Sequence, residues 1–79
     1  MSSELELIGN EISVVWGVPK TPEMRKLSLG LLASARRGES DAWLRERLSC
    51  FQLQQYGRVD EIACGRISQA VLTVIETKN

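Results

Sequence analysis

Glycine and proline residues divide this chain into four segments of helical length. The stretch from Gly17 to Pro22 contains one glycine and two prolines, and Gly38 and Gly57 each follow a segment with apolar residues at helical spacing. Because these residues interrupt helices and form turns, each intervening segment is expected to be one helix of roughly 14 to 20 residues. Short connections favour antiparallel packing of consecutive helices. The sequence therefore predicts an all-α fold, a compact bundle of four short helices.

The segments also carry signals for helix starts, and one alternative to a helix. Thr21 followed by Pro22 is typical of an N-cap and a first helical residue, while Ser40 and Asp60 are candidate starts for the third and fourth helices. Residues Ile12 to Val18 are rich in β-branched side chains, so a short strand there is the alternative that the sequence leaves open.

Each segment carries an apolar stripe that is expected to face a common core. The stripes consist of Leu5, Ile8, Ile12, Val15 and Trp16; Met24, Leu27, Leu31, Leu32 and Ala35; Leu44, Leu48 and Phe51; and Ala63, Ile67, Ala70, Val71 and Val74. A chain of 79 residues allows one domain, residues 1–79, whose stability depends on good packing or on a partner subunit.

The composition disfavours catalysis and metal binding. The chain contains no histidine, so a Ser–His or Cys–His nucleophile pair is impossible. The cysteines Cys50 and Cys64 are not spaced as metal ligands, and the glycines do not cluster into a phosphate-binding loop. We therefore expect no catalytic residue, no cofactor and no metal site. Both cysteines lie in segments with apolar patterning and are expected to be buried, reduced thiols.

The distribution of charge bears on location and on partners. The first residues are acidic and lack the basic flank of a secretory signal, and no apolar run approaches a membrane span, so we expect a cytoplasmic protein. Ten acidic and ten basic residues give a net charge of zero, which argues against general binding of nucleic acid. Residues 1–23 are acidic and residues 24–47 are basic, so these segments should attract each other within one fold or across a dimer.

Four arginines near the second loop are the charged candidates for binding a partner. Arg36 and Arg37 end the second segment, and Arg45 and Arg47 lie early in the third. Arginine suits bidentate contacts with carboxylates, which favours an acidic partner surface. The alternative is a solvated face that complements the helix dipoles.

The first and third helices carry apolar residues on two faces. Leu7 and Val14 lie opposite the core stripe of the first helix, and Trp43, Leu53 and Tyr56 lie away from the core stripe of the third. Exposed apolar faces mark interaction sites. We expect these residues to be covered by a second copy of the chain, in a homodimer, or by a different protein.

Together these features favour a small, non-catalytic regulator or adaptor that binds another protein and masks or bridges a surface on it. The alternative is a small helical DNA-binding transcriptional regulator, because residues 44–72 offer a helix, a glycine turn and a second helix. Asp60 and Glu61 would begin the recognition helix and repel phosphates. Nucleic acid is therefore the less favoured partner.

Overall fold

The computed structural model describes residues 3–77, which form four α-helices: α1 (Ser3–Trp16), α2 (Pro22–Arg36), α3 (Asp41–Tyr56) and α4 (Glu61–Thr77). The predicted all-α fold is confirmed. The short strand considered for Ile12 to Val18 is wrong, because α1 continues to Trp16. Helical spacing places Ile12 and Trp16 in the core together, and this burial outweighs the β propensity of the segment.

Side-chain caps set three of the helix starts. The side-chain oxygens of Thr21, Ser40 and Asp60 each accept a hydrogen bond from the backbone amide three residues later, at 3.1, 3.2 and 3.1 Å. Gly57 ends α3 with φ 73° and ψ 15°, a left-handed conformation that glycine adopts without steric cost. The predicted helix boundaries therefore rest on interactions local to the sequence.

Contacts between α3 and α4 show that these helices are antiparallel. Near the end of α3, the Gln52 side chain accepts a hydrogen bond from the amide of Asp60, just before α4. At the start of α3, Asp41 accepts a hydrogen bond from Ser68, in the middle of α4. Helices α2 and α4 pack against each other and each contacts both remaining helices, whereas no close backbone contact joins α1 to α3 within residues 3–77. Helices α1 and α3 therefore lie on opposite sides of the α2–α4 pair.

The core draws apolar side chains from all four helices. Its most deeply buried members include Ile8, Ile12, Met24, Leu31, Leu44, Leu48, Ile67 and Val71. At one end Trp16 stacks on Phe51, with ring centroids 6.0 Å apart, and meets the ring of Tyr56 edge-on at 6.1 Å. These aromatic contacts connect α1 to α3 across the bundle.

The exposure of two side chains of α3 differs from the prediction. Cys50 is exposed, because Leu48 takes an inward position and a residue two places later points about 200° away around the helix. Tyr56, expected on an uncovered face, is half-buried because it is the last residue of α3 and packs against the ring of Trp16. Cys64 is fully buried, as predicted.

The buried polar residue Gln52 joins α3 to the start of α4. Its side chain is 1% exposed, and its Oε1 accepts hydrogen bonds from the Asp60 amide at 2.8 Å and from the Cys64 thiol at 3.4 Å. Burial raises the pKa of the Cys64 thiol, and hydrogen bonding to Ser49 opposes this to a smaller extent. Because a buried amide needs its partners, Gln52 fixes how far along its axis α4 lies against α3.

A second polar contact, centred on Asp41, joins the start of α3 to α4. Its carboxylate accepts hydrogen bonds from Ser68 Oγ at 2.5 Å and Gln69 Nε2 at 3.3 Å, and it forms an i,i+4 ion pair with Arg45 at 2.8 Å. The hydrogen bond from Ser68 is the main cause that lowers the pKa of Asp41 below its ordinary value of 3.8; partial burial opposes it and Arg45 assists it.

Replacing this carboxylate should make stability less sensitive to acid. Because its pKa is depressed in the folded state, the Asp41 carboxylate stabilises the fold above its unfolded pKa, and this contribution is lost as pH falls through the folded value. Thermal melts of wild-type protein and Asp41→Asn should therefore differ near neutral pH and converge as pH falls below about 4. The matched control Glu46→Gln changes an exposed carboxylate of the same helix and should keep the wild-type pH dependence. If the melting temperatures of wild type and Asp41→Asn still differ by the same amount at about pH 2, the stabilising role of the Asp41 carboxylate is contradicted.

The two cysteines should react with a thiol reagent at very different rates. Cys50 is exposed, whereas Cys64 is buried and its raised pKa reduces the thiolate fraction. We expect one rapid labelling event in native protein and the second only in denaturant. Cys50→Ser should abolish the rapid phase and Cys64→Ser should retain it. Equal labelling rates for the two thiols in native protein would contradict the burial of Cys64.

Candidate protein-binding surface

The apolar residues predicted to bind a partner lie on two opposite sides of the bundle. Leu7 and Val14 are exposed on α1, and Trp43 and Leu53 are exposed on α3. Because the α2–α4 pair separates α1 from α3, a single flat partner surface cannot cover both sets. The molecule therefore presents two separate apolar surfaces.

Two of the four candidate arginines are engaged within the chain. Arg36 forms an ion pair with Glu4 at the start of α1, so the attraction expected between the acidic and basic segments acts within one molecule. Arg45 pairs with Asp41 and lies beside Gly65 on the side of α3 that faces α4. The structure thus places these two guanidinium groups against different neighbouring helices.

Arg37 and Arg47 have no carboxylate partner among the residues that the structure describes. The guanidinium of Arg47 lies over the ring of Trp43, 6.0 Å from its centroid. Arg37 donates a hydrogen bond to Ser34 Oγ at 3.2 Å. A Cβ atom at Gly30 would stand 3.0 Å from Nη2 of Arg47, so Gly30 leaves space for this guanidinium beside α2. Both cations remain open to an external carboxylate.

The outward side of α3 forms the surface that we call the Trp43 surface. Its members are exposed residues at helical spacing, namely Trp43, Glu46, Arg47, Cys50 and Leu53. Two inward leucines of the same helix are completely buried and supply its core contacts. Trp43, which is 38% exposed, is therefore not required to fill the interior.

The opposite side forms the surface that we call the α1–α4 surface, defined by Leu7, Glu11, Val14 and Ile62. Val14 is 78% exposed and Ile62 is 80% exposed. Glu11 of α1 and Ile62 of α4 line one shallow groove, which also includes Arg66 of α4 and extends to Asp41 and Arg45 of α3. Sequence reasoning did not assign Ile62 to a surface, although its place outside the apolar stripe of α4 was the available signal.

The described part of the chain also bears on other classes of site. Residues 3–77 contain no group of three or more histidine, cysteine, aspartate or glutamate side chains placed to hold a metal ion. No described helix is both long enough and apolar enough to cross a membrane. A groove of about 450 Å³ lies between α1 and the start of α2, with Leu5 and Met24 among its lining residues.

Truncating the two tryptophans should have unequal effects on stability. Trp16 is 5% exposed within the core, so Trp16→Ala should cost about 3–5 kcal/mol of unfolding free energy. Trp43→Ala removes an outward side chain and should cost about 1 kcal/mol or less. Chemical denaturation followed by far-UV circular dichroism measures both values without relying on tryptophan emission. Similar losses would mean that Trp43 belongs to the core.

Comparison with family models, with curated proteins and with solved structures finds no match to this chain.

Proposed function

We propose that this protein is a small, non-catalytic regulator or adaptor that binds another protein through the Trp43 surface. The outward position of Trp43 is the observation that carries the proposal, because Leu44 and Leu48 already supply the core contacts of α3. Tryptophan and arginine are enriched among the residues that contribute most to protein interfaces. Here Arg47 stacks on Trp43, which combines both types at one place.

The chemistry of this surface favours a partner that is both acidic and apolar. Arg47 offers planar donors that suit a carboxylate, and the rings of Trp43 and the side chain of Leu53 offer apolar area. The stacking of Arg47 on Trp43 restricts both side chains before binding, which reduces the entropy lost when a partner docks. We expect the partner to present carboxylates beside an apolar centre.

The packing of α3 on α4 makes the DNA-binding alternative less favourable. In a helix-turn-helix module, the N-terminal residues of the second helix approach base edges in the major groove. Here Asp60 and Glu61 occupy that end of α4, and their charge would repel DNA phosphates. The bond from Ser68 to Asp41 also shows that α3 lies along α4 well beyond the connecting turn.

The groove between α1 and the start of α2 offers little for catalysis. Its polar side chains include Glu6, Lys20 and Arg25, which lie at its rim. The buried hydroxyl of Ser28 is already bonded to the carbonyl of Met24 at 3.0 Å. This lining holds a single carboxylate and no nucleophile paired with a general base, which supports a binding role in preference to an enzymatic one.

Capture of the partner should depend on Trp43 and not on the opposite surface. Tagged wild-type protein, Trp43→Ala and Arg47→Ala would be used to recover bound proteins from extracts of the native cell, with quantitative mass spectrometry as the measurement. For the true partner, Trp43→Ala should reduce recovery about tenfold or more, as expected for a central interface residue. Ile62→Ala is the matched control, because it truncates an exposed apolar residue elsewhere.

The same variants distinguish the two function classes. A protein recovered equally by wild type and Trp43→Ala does not bind the proposed surface, and absence of any Trp43-dependent protein would contradict the proposal. Retardation of a DNA duplex in a gel, with affinity that falls steeply as salt rises, would favour the transcriptional regulator instead.

A further inference from the structure

We propose that Gly30 of α2 is a positioning residue for the Trp43 surface. Because it carries no side chain, it admits the guanidinium of Arg47 against α2 and so holds that group over the ring of Trp43. Every member of the Trp43 surface belongs to α3, yet its arginine depends on a residue of α2. The placement of Arg47 is a property of the chain itself, and only its effect on binding rests on the proposed function.

The backbone of α2 does not require a glycine at position 30. Gly30 lies inside the helix and does not adopt the positive φ that Gly17, Gly38 and Gly57 adopt. Glycine is less stable than alanine within a helix, because it loses more conformational freedom on folding. Gly30 is therefore unfavourable for α2 by itself, and any compensating advantage comes from a contact outside this helix.

The contact that a side chain at position 30 would meet is with Arg47. Within residues 3–77, Nη2 of Arg47 is the only atom outside α2 that would lie within 4 Å of a Cβ there, and it would stand 3.0 Å away. That distance is shorter than an ordinary van der Waals contact, so even a methyl group would displace the guanidinium. A larger side chain would occupy the space that the guanidinium fills.

The side chain of Arg47 thus reaches two places at once. Its Cζ lies 6.0 Å from the ring centroid of Trp43, one turn earlier on α3, while its Nη2 lies beside Gly30. Arg47 also lines a groove between α2 and α3, together with Leu27. A long side chain that is already ordered has fewer rotamers to lose when it binds a carboxylate. Gly30 therefore contributes to binding by ordering Arg47 before a partner docks.

Side-chain NMR of Gly30→Ala and Gly30→Leu tests this assignment without a partner. The ring of Trp43 should shift the side-chain proton resonances of Arg47, and the spectrum of Trp43→Ala identifies that ring-current shift. Gly30→Ala should move the Arg47 resonances toward their positions in Trp43→Ala, and Gly30→Leu should move them all the way. The melting temperature of Gly30→Ala should not fall, because alanine favours the helix and the guanidinium is the end of a flexible side chain.

Gly65→Ala is the matched control. Gly65 is a half-buried glycine inside α4, and a Cβ there would lie 3.6 Å from Cδ of Arg45, which is an ordinary contact. This variant should leave the Arg47 resonances at their wild-type positions. An Arg47 shift that Trp43→Ala does not remove, or that survives Gly30→Leu, would overturn the proposal. Circular dichroism checks folding; if Gly30→Leu does not fold, wild-type Arg47 resonances in Gly30→Ala overturn it instead.

Capture of the partner gives a second readout, which separates this proposal from the proposed function. Gly30→Leu should weaken recovery of the Trp43-dependent partner about two- to tenfold, the range expected when one long side chain is no longer ordered in advance. In the Arg47→Ala background it should cause no further loss, and an equal loss there would show that Gly30 acts through another contact. Displacement of Arg47 without Trp43-dependent capture of any protein would uphold the positioning role and reject the proposed function.

Discussion

The limited interior of a four-helix bundle decides which side chains of this protein remain available for binding. Successive residues of an α-helix point about 100° apart, so Leu44 and Leu48 cannot enter the core unless Trp43 turns away from it. Residues 3–77 contain no additional helix that covers the outward side of α3. The exposed tryptophan is therefore a consequence of how the core is filled.

Two polar contacts then hold α3 in a defined position on α4. Asp41 bonds to Ser68 near one end of α3, and Gln52 bonds to Asp60 near the other. Such contacts depend on alignment more strongly than apolar packing does, because a displaced helix would leave buried polar groups without partners. They fix where α3 lies on α4, and Trp16 joins the far side of the bundle to the same helix through its aromatic contacts.

A fixed position of α3 suits the proposed binding role of the Trp43 surface. In that proposal the core need not rearrange, because the side chains concerned already point outward and Arg47 already lies over the ring of Trp43. The α1–α4 surface also carries exposed aliphatic residues, and Glu11 lies there in the same groove as Arg45 and Arg66. Two apolar surfaces on opposite sides would let the molecule contact two partners at once, which is compatible with the proposed adaptor role.

The sequence by itself determined the helices, their ends and most of the core, because those features depend on local capping chemistry and on a repeat of about 3.6 residues. It also separated Leu7 and Val14 from the core stripe of α1. Periodicity identifies residues that share a face of one helix, but it does not say which neighbouring helix covers that face. Only the tertiary structure therefore decided that Cys50 is exposed while Gln52 is buried. Packing against other helices likewise decided which arginines are engaged within the chain. Arg36 forms an ion pair with α1, whereas Arg47 lies over Trp43 beside α2.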